Sequence, residues 1–144
     1  MPLVKVWIHL VWSTKDREPL LSAETRIQLF GHIRENARAK GIFVDFIGGY
    51  TDHVHCLVSL GTDQTISKIM QLLKGESSHW INKNNLCRGR FEWQDEYFAV
   101  SVSESVLDKV RDYIAGQEEH HRTRSFAEEY EDFIKKAGFQ KVLG

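Results

Sequence analysis

His53-Val54-His55-Cys56-Leu57-Val58-Ser59-Leu60 reads as a β-strand, and the reading of its two histidines decides how the rest of the chain is understood. Successive strand residues point to opposite sides, so His53 and His55 share one face and Val54, Cys56, Val58 and Leu60 share the other. The second set can pack into a core. The first places two imidazoles side by side on a rigid support, and neutral imidazole is the commonest side-chain metal ligand. Two readings stand. One is a metal site; the other is two polar residues on a half-exposed strand.

A second constellation lies downstream, Tyr113-Ile114-Ala115-Gly116-Gln117, inside a helix predicted over about 104–121. Tyrosine and glutamine four residues apart project from one helical face. Val106, Leu107, Val110 and Ile114 supply the apolar stripe beside them. A tyrosine oxygen can serve as a covalent nucleophile. An amide oxygen is a suitable hard ligand for Mg²⁺ or Mn²⁺. The plain alternative is a tyrosine at the edge of the core beside a solvated glutamine.

A strand with H-x-H followed by a helix with Y-x-x-x-Q resembles the single-tyrosine HUH transposases of small bacterial insertion sequences and the related REP-associated tyrosine transposases. Other segments agree. His9-Leu10-Val11-Trp12-Ser13-Thr14-Lys15 resembles the family's first strand and its exit, and Gly49-Tyr50-Thr51-Asp52 the approach to the histidines. Trp93-Gln94 and Tyr97-Phe98 resemble the segment before the tyrosine helix, and Tyr113 to His121 resembles that helix. The resemblance runs from about residue 3 to residue 122. It implies a metal-dependent enzyme that cleaves and rejoins single-stranded DNA through a 5′-phosphotyrosine. Tyr113 would be the nucleophile, and His53, His55 and Gln117 would hold Mg²⁺ or Mn²⁺. It also implies a DNA hairpin as partner and a homodimer whose sites can be composite.

The composition fits this reading without demanding it. The chain has 144 residues, enough for one domain spanning 1–144. Hydrophobic content of 42% and charged content of 27% are ordinary for a globular protein. No membrane span or signal peptide is expected, and the predicted location is the cytoplasm. Cys56 and Cys87 form no metal or disulfide motif. A net charge of −1 is low for a nucleic-acid protein, but the charge is uneven. Positions 118–132 hold six carboxylates, whereas 68–90 hold five Lys or Arg and one Glu.

The predicted order of elements is β-α-β-β-α-β-α-α. A strand over 3–12 has Val4, Val6, Ile8, Leu10 and Trp12 on one face. A helix capped by Ser22 runs to Lys40, with Ile27, Phe30, Ile33 and Ala37 inward and Gly41 as its stop. A strand over 42–48 and a turn over 48–52 lead to the histidine strand. Thr65 caps a helix that Gly75 interrupts, a loop follows over 82–90, and a fourth strand covers 97–103. A last helix covers 125–136. The pattern is α+β: the ferredoxin-like, RRM-like β-α-β-β-α-β antiparallel sheet with helices on one face and extra C-terminal helices. The histidines are expected on the face left open.

DNA contacts are expected from Lys15, Arg17, Lys74, Lys83, Arg88 and Arg90, with Trp93 stacking on an unpaired base. Each is also readable as a solvated charge or a core-edge ring. His120 and His121 are candidate bases for Tyr113, or simply polar residues that complement a helix C-terminus. Two other functions compete: a non-catalytic single-stranded nucleic-acid binder, and a small metal-dependent hydrolase with no need of Tyr113.

Overall fold

The computed structural model describes residues 2–137. The strands are β1 (Trp7–Thr14), β2 (Phe43–Tyr50), β3 (His53–Ser59) and β4 (Trp93–Val102). The helices are α1 (Ala23–Ala39), α2 (Ile66–Lys83), α3 (Leu107–Ala115), α4 (Gln117–His120) and α5 (Phe126–Ala137). The strands form one antiparallel sheet in the order β2-β3-β1-β4, the ferredoxin-like arrangement. Among the described residues no helix is long and apolar enough to cross a membrane.

Alternation assigns each side of the sheet. Ile8, Leu10 and Trp12 of β1 join Val54, Cys56 and Val58 of β3 in the main core. Helices α1 and α2 close it with Leu29, Ile33, Ala37, Ile69, Met70, Leu73 and Ile81. Both helices begin as their caps dictate. Ser22 accepts from the Thr25 amide, and Thr65 from the Lys68 amide. Gly41 follows α1 at φ +74, a left-handed conformation that favours glycine.

Several boundaries differ from the sequence expectation. Strand β1 starts at Trp7, because its pairing ends where Trp7 meets Ser59 and Val102. Val4 and Val6 therefore lie exposed. The buried row of α1 is Thr25, Leu29, Ile33 and Ala37, spaced by four, which leaves Ile27 76% exposed. Gly75 does not break α2; it faces open space inside a continuous helix. Strand β2 extends through Gly48 and Gly49 to Tyr50, so only Thr51 and Asp52 make the turn. The tyrosine helix is two helices, α3 and α4, joined at Gly116.

The expectation of an open second face is corrected. His9, His53, His55 and Leu57 do lie opposite the main core, but α3, α4 and α5 cover them. Leu57, Leu107 and Ile114 form a second small core there. Gly48 sets how close α3 comes. A Cβ at Gly48 would meet Ile114 Cγ2 and the Ile114 carbonyl oxygen, both at 2.8 Å. Gly48 is the cross-strand partner of His55, so the close approach happens beside the histidines. Arg111 of α3 fastens the packing with a two-pronged bond to Asp45 of β2 at 2.8 and 3.0 Å.

Candidate active site

Register brings the imidazoles together. Val11 pairs with His55 and His9 with Leu57, so His9 sits diagonal to His55 on the same face. His9 Nε2 and His55 Nδ1 are 2.9 Å apart and share a hydrogen bond. His53 Nδ1 lies 2.7 Å from Asp52 Oδ1. A carboxylate only accepts, so Nδ1 carries a proton, and in its neutral form the ring presents Nε2 as an electron pair. A carboxylate behind a histidine is how metal-ligating rings are commonly oriented. Both His53 and His55 are fully buried.

Helices α3 and α4 bring Tyr113 and Gln117 over this pair. The Tyr113 ring packs edge-on to His55 at 5.6 Å and to His9 at 6.3 Å, within its own chain. Gln117 donates its Nε2–H to the Tyr113 carbonyl oxygen at 3.1 Å. That bond fixes which end of the amide is nitrogen, so Oε1 faces the imidazoles. It lies 2.9 Å from His53 Nε2 and 3.0 Å from His121 Nε2.

Helix α5 adds a group the sequence reading did not single out, Glu129. It lies 3.0 Å from His55, His120 and, at 2.9 Å, His121. Phe126, one turn earlier, stacks on His53 at 4.2 Å between ring centroids. One signal was available: Glu129 falls three residues after Phe126 and one before Tyr130, on the inward side of the helix. Asp52, directly before His53, and His9, on the neighbouring strand, were equally visible as residue types. Their roles depend on register.

Burial sets the protonation. It pushes His55 down to about 4, against the raising effect of Glu129, and with the help of His55 pushes His9 down to about 3. Both rings are therefore neutral near pH 7, the state in which His55 can act as a ligand. Burial alone would raise the Glu129 carboxyl, but His55, His53 and His121 outweigh it and bring the group to about 2. Burial and the Glu129 charge hold the Tyr113 phenol above its usual range.

The donor set fits a divalent cation. His53, His55 and Glu129 offer ligand atoms within 4.8 Å of one another, with Gln117 Oε1 beside His53. Ligands at right angles on bonds of about 2.1 Å stand about 3.0 Å apart. The spacings of His53 to Gln117 and of His55 to Glu129 match that value.

Six of the cations line two separate clefts. A cleft of about 330 Å³ at Tyr113 is lined by His9, His120 and Glu129 and by the cations Lys109, Arg124 and Lys136. The sequence reading named none of those three. Lys15, Lys74 and Arg90 line a different cleft, between α2 and β4, of about 750 Å³. There Lys15 pairs with Glu92, and Lys74 donates to the Gln94 and Asp95 carbonyls. Lys83 and Arg88 are exposed. Arg17 lies over the rings of Tyr130 and Phe126. Trp93 is corrected as a base-stacking surface. It is 8% exposed, packs against Trp12 and Phe91, and donates to Ser77 Oγ. Its indole belongs to the core.

Comparison with known proteins places these residues in context. A sequence model of the family described as "Transposase IS200 like" matches residues 3–117. The ISDra2 transposase TnpA of Deinococcus radiodurans is 30% identical over 115 residues, covering 76% of this chain and 81% of that protein. A solved structure titled as a transposase from Deinococcus radiodurans R1 superposes with a TM-score of 0.64 at 25% identity. It covers 81% of this chain and 93% of the other. The structure of a REP-associated tyrosine transposase bound to a REP hairpin gives a TM-score of 0.63 at 16% identity, covering 84% and 72%, and shares the fold.

Proposed function

The chain belongs to the IS200-like transposase family, and we propose that it cleaves and rejoins single-stranded DNA through a covalent bond to Tyr113. One observation carries the reading: Tyr113 and Gln117 pack directly over His53 and His55 in the same buried site. A tyrosine beside neutral imidazoles and an amide oxygen is suited to phosphoryl transfer.

His53, His55 and Gln117 would hold Mg²⁺ or Mn²⁺. When bound, the cation supplies positive charge that polarises a phosphate oxygen and offsets the negative field at Tyr113. Asp52 and His9 keep the two ligand rings oriented. The cleft at Tyr113 is the route for the backbone, and Lys109, Arg124 and Lys136 face the phosphates there. The Tyr113 oxygen forms a bond to phosphorus as the bond to the 3′ oxygen breaks. The products are a 5′-phosphotyrosine and a free 3′-OH. The reverse attack rejoins the strand without ATP, because the covalent link keeps the bond energy. Arg17, Lys83, Arg88 and Arg90, with Lys15 and Lys74 in the second cleft, are proposed contacts to flanking DNA. A hairpin is the proposed partner form, by analogy with the REP hairpin in the related structure. A homodimer is part of the same proposal.

The test is a labelled hairpin with a single-stranded flank, incubated with Mg²⁺ or Mn²⁺ and read on a denaturing gel. Cleavage with a protein–DNA adduct is expected. Tyr113→Phe should lose both while keeping its circular dichroism spectrum. Cleavage without an adduct, unaffected by Tyr113→Phe, would establish the metal-dependent hydrolase instead. Binding without any cleavage would establish the non-catalytic binder.

A further inference from the structure

Glu129 faces two pairs of histidines, one with each oxygen. Oε1 lies 3.0 Å from His55 Nε2 and 4.0 Å from His53 Nε2. Oε2 lies 3.0 Å from His120 Nε2 and 2.9 Å from His121 Nε2. The second pair belongs to α4 and the residue that follows it, and His120, His121 and Glu129 all lie beyond the segment that matches the family. Their ligand atoms also fall within 4.8 Å of one another.

The hydrogen bonding around His121 calls for a positive charge. Its Nδ1 lies 2.7 Å from the Arg124 carbonyl oxygen. A carbonyl only accepts, so Nδ1 carries a proton, and in the neutral form of the ring the Nε2 electron pair turns inward. That pair meets Glu129 Oε2 at 2.9 Å and Gln117 Oε1 at 3.0 Å. Neither oxygen carries a hydrogen: Glu129 is an ionised carboxylate, and the Gln117 amide nitrogen is committed to the Tyr113 carbonyl. Three electron-pair donors thus face one another where side-chain exposure is 2% at His121 and 3% at Glu129. Buried donors in that arrangement repel unless a positive charge sits among them. His120 Nε2 approaches the same carboxylate without hydrogen-bond geometry. The separations of 2.9–3.0 Å are again those of neighbouring ligands around one ion.

We propose that His120, His121 and Glu129 form a second divalent-cation seat, with the Glu129 carboxylate bridging it to the seat of His53 and His55. Two imidazoles and a carboxylate suit borderline Zn²⁺, and the carboxylate oxygen also admits the harder Mn²⁺. Paired ions a few ångströms apart are a recurring device for displacement at phosphorus. The His120 side chain is 26% exposed and lines the cleft at Tyr113, so the second seat opens on the DNA route. The inference rests on the reading of His53 and His55 as cation ligands.

The experiment is Mn²⁺ titration of the full chain by calorimetry, with electron paramagnetic resonance on the loaded protein. Two ions per chain and an exchange-coupled spectrum are expected. His121→Ala should bind one ion and give an uncoupled spectrum. His120→Ala, which truncates a partly exposed ring, should lose the coupling too and covers the case in which His121→Ala fails to fold. His55→Ala should remove the other ion. A single ion that His55→Ala removes and both His120→Ala and His121→Ala leave in place would overturn this inference alone. His120 and His121 would then pair with Glu129 through a proton. A single ion removed by all three substitutions also overturns the second seat, in favour of one shared site. No ion, or binding indifferent to His53 and His55, overturns this inference together with the metal reading of the main site.

Discussion

The two faces of the sheet use the same strands for opposite ends. Toward α1 and α2, strands β1 and β3 bury Ile8, Leu10, Trp12, Val54, Cys56 and Val58, which ask nothing of their neighbours beyond close packing. Toward α3, α4 and α5, the intervening residues bury His9, His53 and His55 with Gln117 and Glu129. Burying such groups costs free energy unless each finds a partner. One face therefore holds the fold together, and the other depends on that stability to keep polar groups dry and fixed. Substitutions on the two faces should fail in different ways.

The largest separation is expected between His55 and Leu10. His55→Ala removes a ligand from a group that acts as a unit, so cleavage should fall by about three orders of magnitude or more. Its stability should fall as well, by about 1–3 kcal/mol, because the truncation leaves His9 Nε2 without its buried partner, so activity rather than stability separates the two variants. Leu10→Ala empties part of the main core and should cost about 2–5 kcal/mol of stability. Its cleavage rate below the melting transition should stay near that of the parent. Denaturant melts and single-turnover cleavage on both variants check this. Equal loss of activity in the two would erase the distinction between the faces.

Much of this division was legible in the sequence. Period-two alternation in His53–Leu60 gave both faces of β3, and Y-x-x-x-Q picked out the residues that the helices bring to them. What could not be read was the cover on the second face. The alternation says that His53 and His55 point away from Val54; it does not say what packs there. That depends on Gly48, whose missing Cβ admits α3, and on the chain returning as α5 to bring Glu129 over the histidines. Trp93 was misplaced for a related reason. A tryptophan at the start of a strand looks the same in sequence whether its ring faces solvent or, as here, donates to Ser77 inside the core.

A smaller effect is expected at Gly48, where the two faces can be uncoupled without touching a polar group. A methyl group there would lie 2.8 Å from Ile114 Cγ2 and from the Ile114 carbonyl. The side-chain atom can move, but the backbone oxygen moves only with α3. Gly48→Ala should therefore lift α3, and Tyr113 with it, away from His55. Overpacking of this kind costs about 1–3 kcal/mol. Because positioning matters so steeply in transfer reactions, cleavage should drop by about 100-fold. Gly75→Ala is the control: its Cβ meets nothing within 4 Å in the middle of α2, and it should be neutral or slightly stabilising. Unchanged cleavage by Gly48→Ala would mean that the height of α3 is not set there.

The gentlest contrast is in pH dependence, measured on metal-free protein in EDTA. Burial lowers His55 to about 4 and His9 to about 3, from 6.5 in the unfolded chain. Below pH 6.5 the unfolded state takes up protons that the folded state refuses, so stability falls as pH falls, down to the folded values. Between pH 7 and pH 5 this amounts to about 2 kcal/mol for His55. For His55 alone that corresponds to a drop in Tm of roughly 4–8 °C for a chain of this size, and His9 adds a similar amount. Glu129, at about 2, adds its own loss only below its ordinary value of 4.5, outside that window. Toward α1 and α2, burial instead raises Cys56 to about 12, far from this window. A double variant, His9→Gln with His55→Gln, keeps polar side chains that cannot titrate, and its Tm should fall less than the parent's from pH 7 to pH 5, with His121, also lowered by burial, keeping part of the slope. If its slope matches that of the parent, the acid sensitivity lies outside the histidine face, and these two rings are not held neutral by burial.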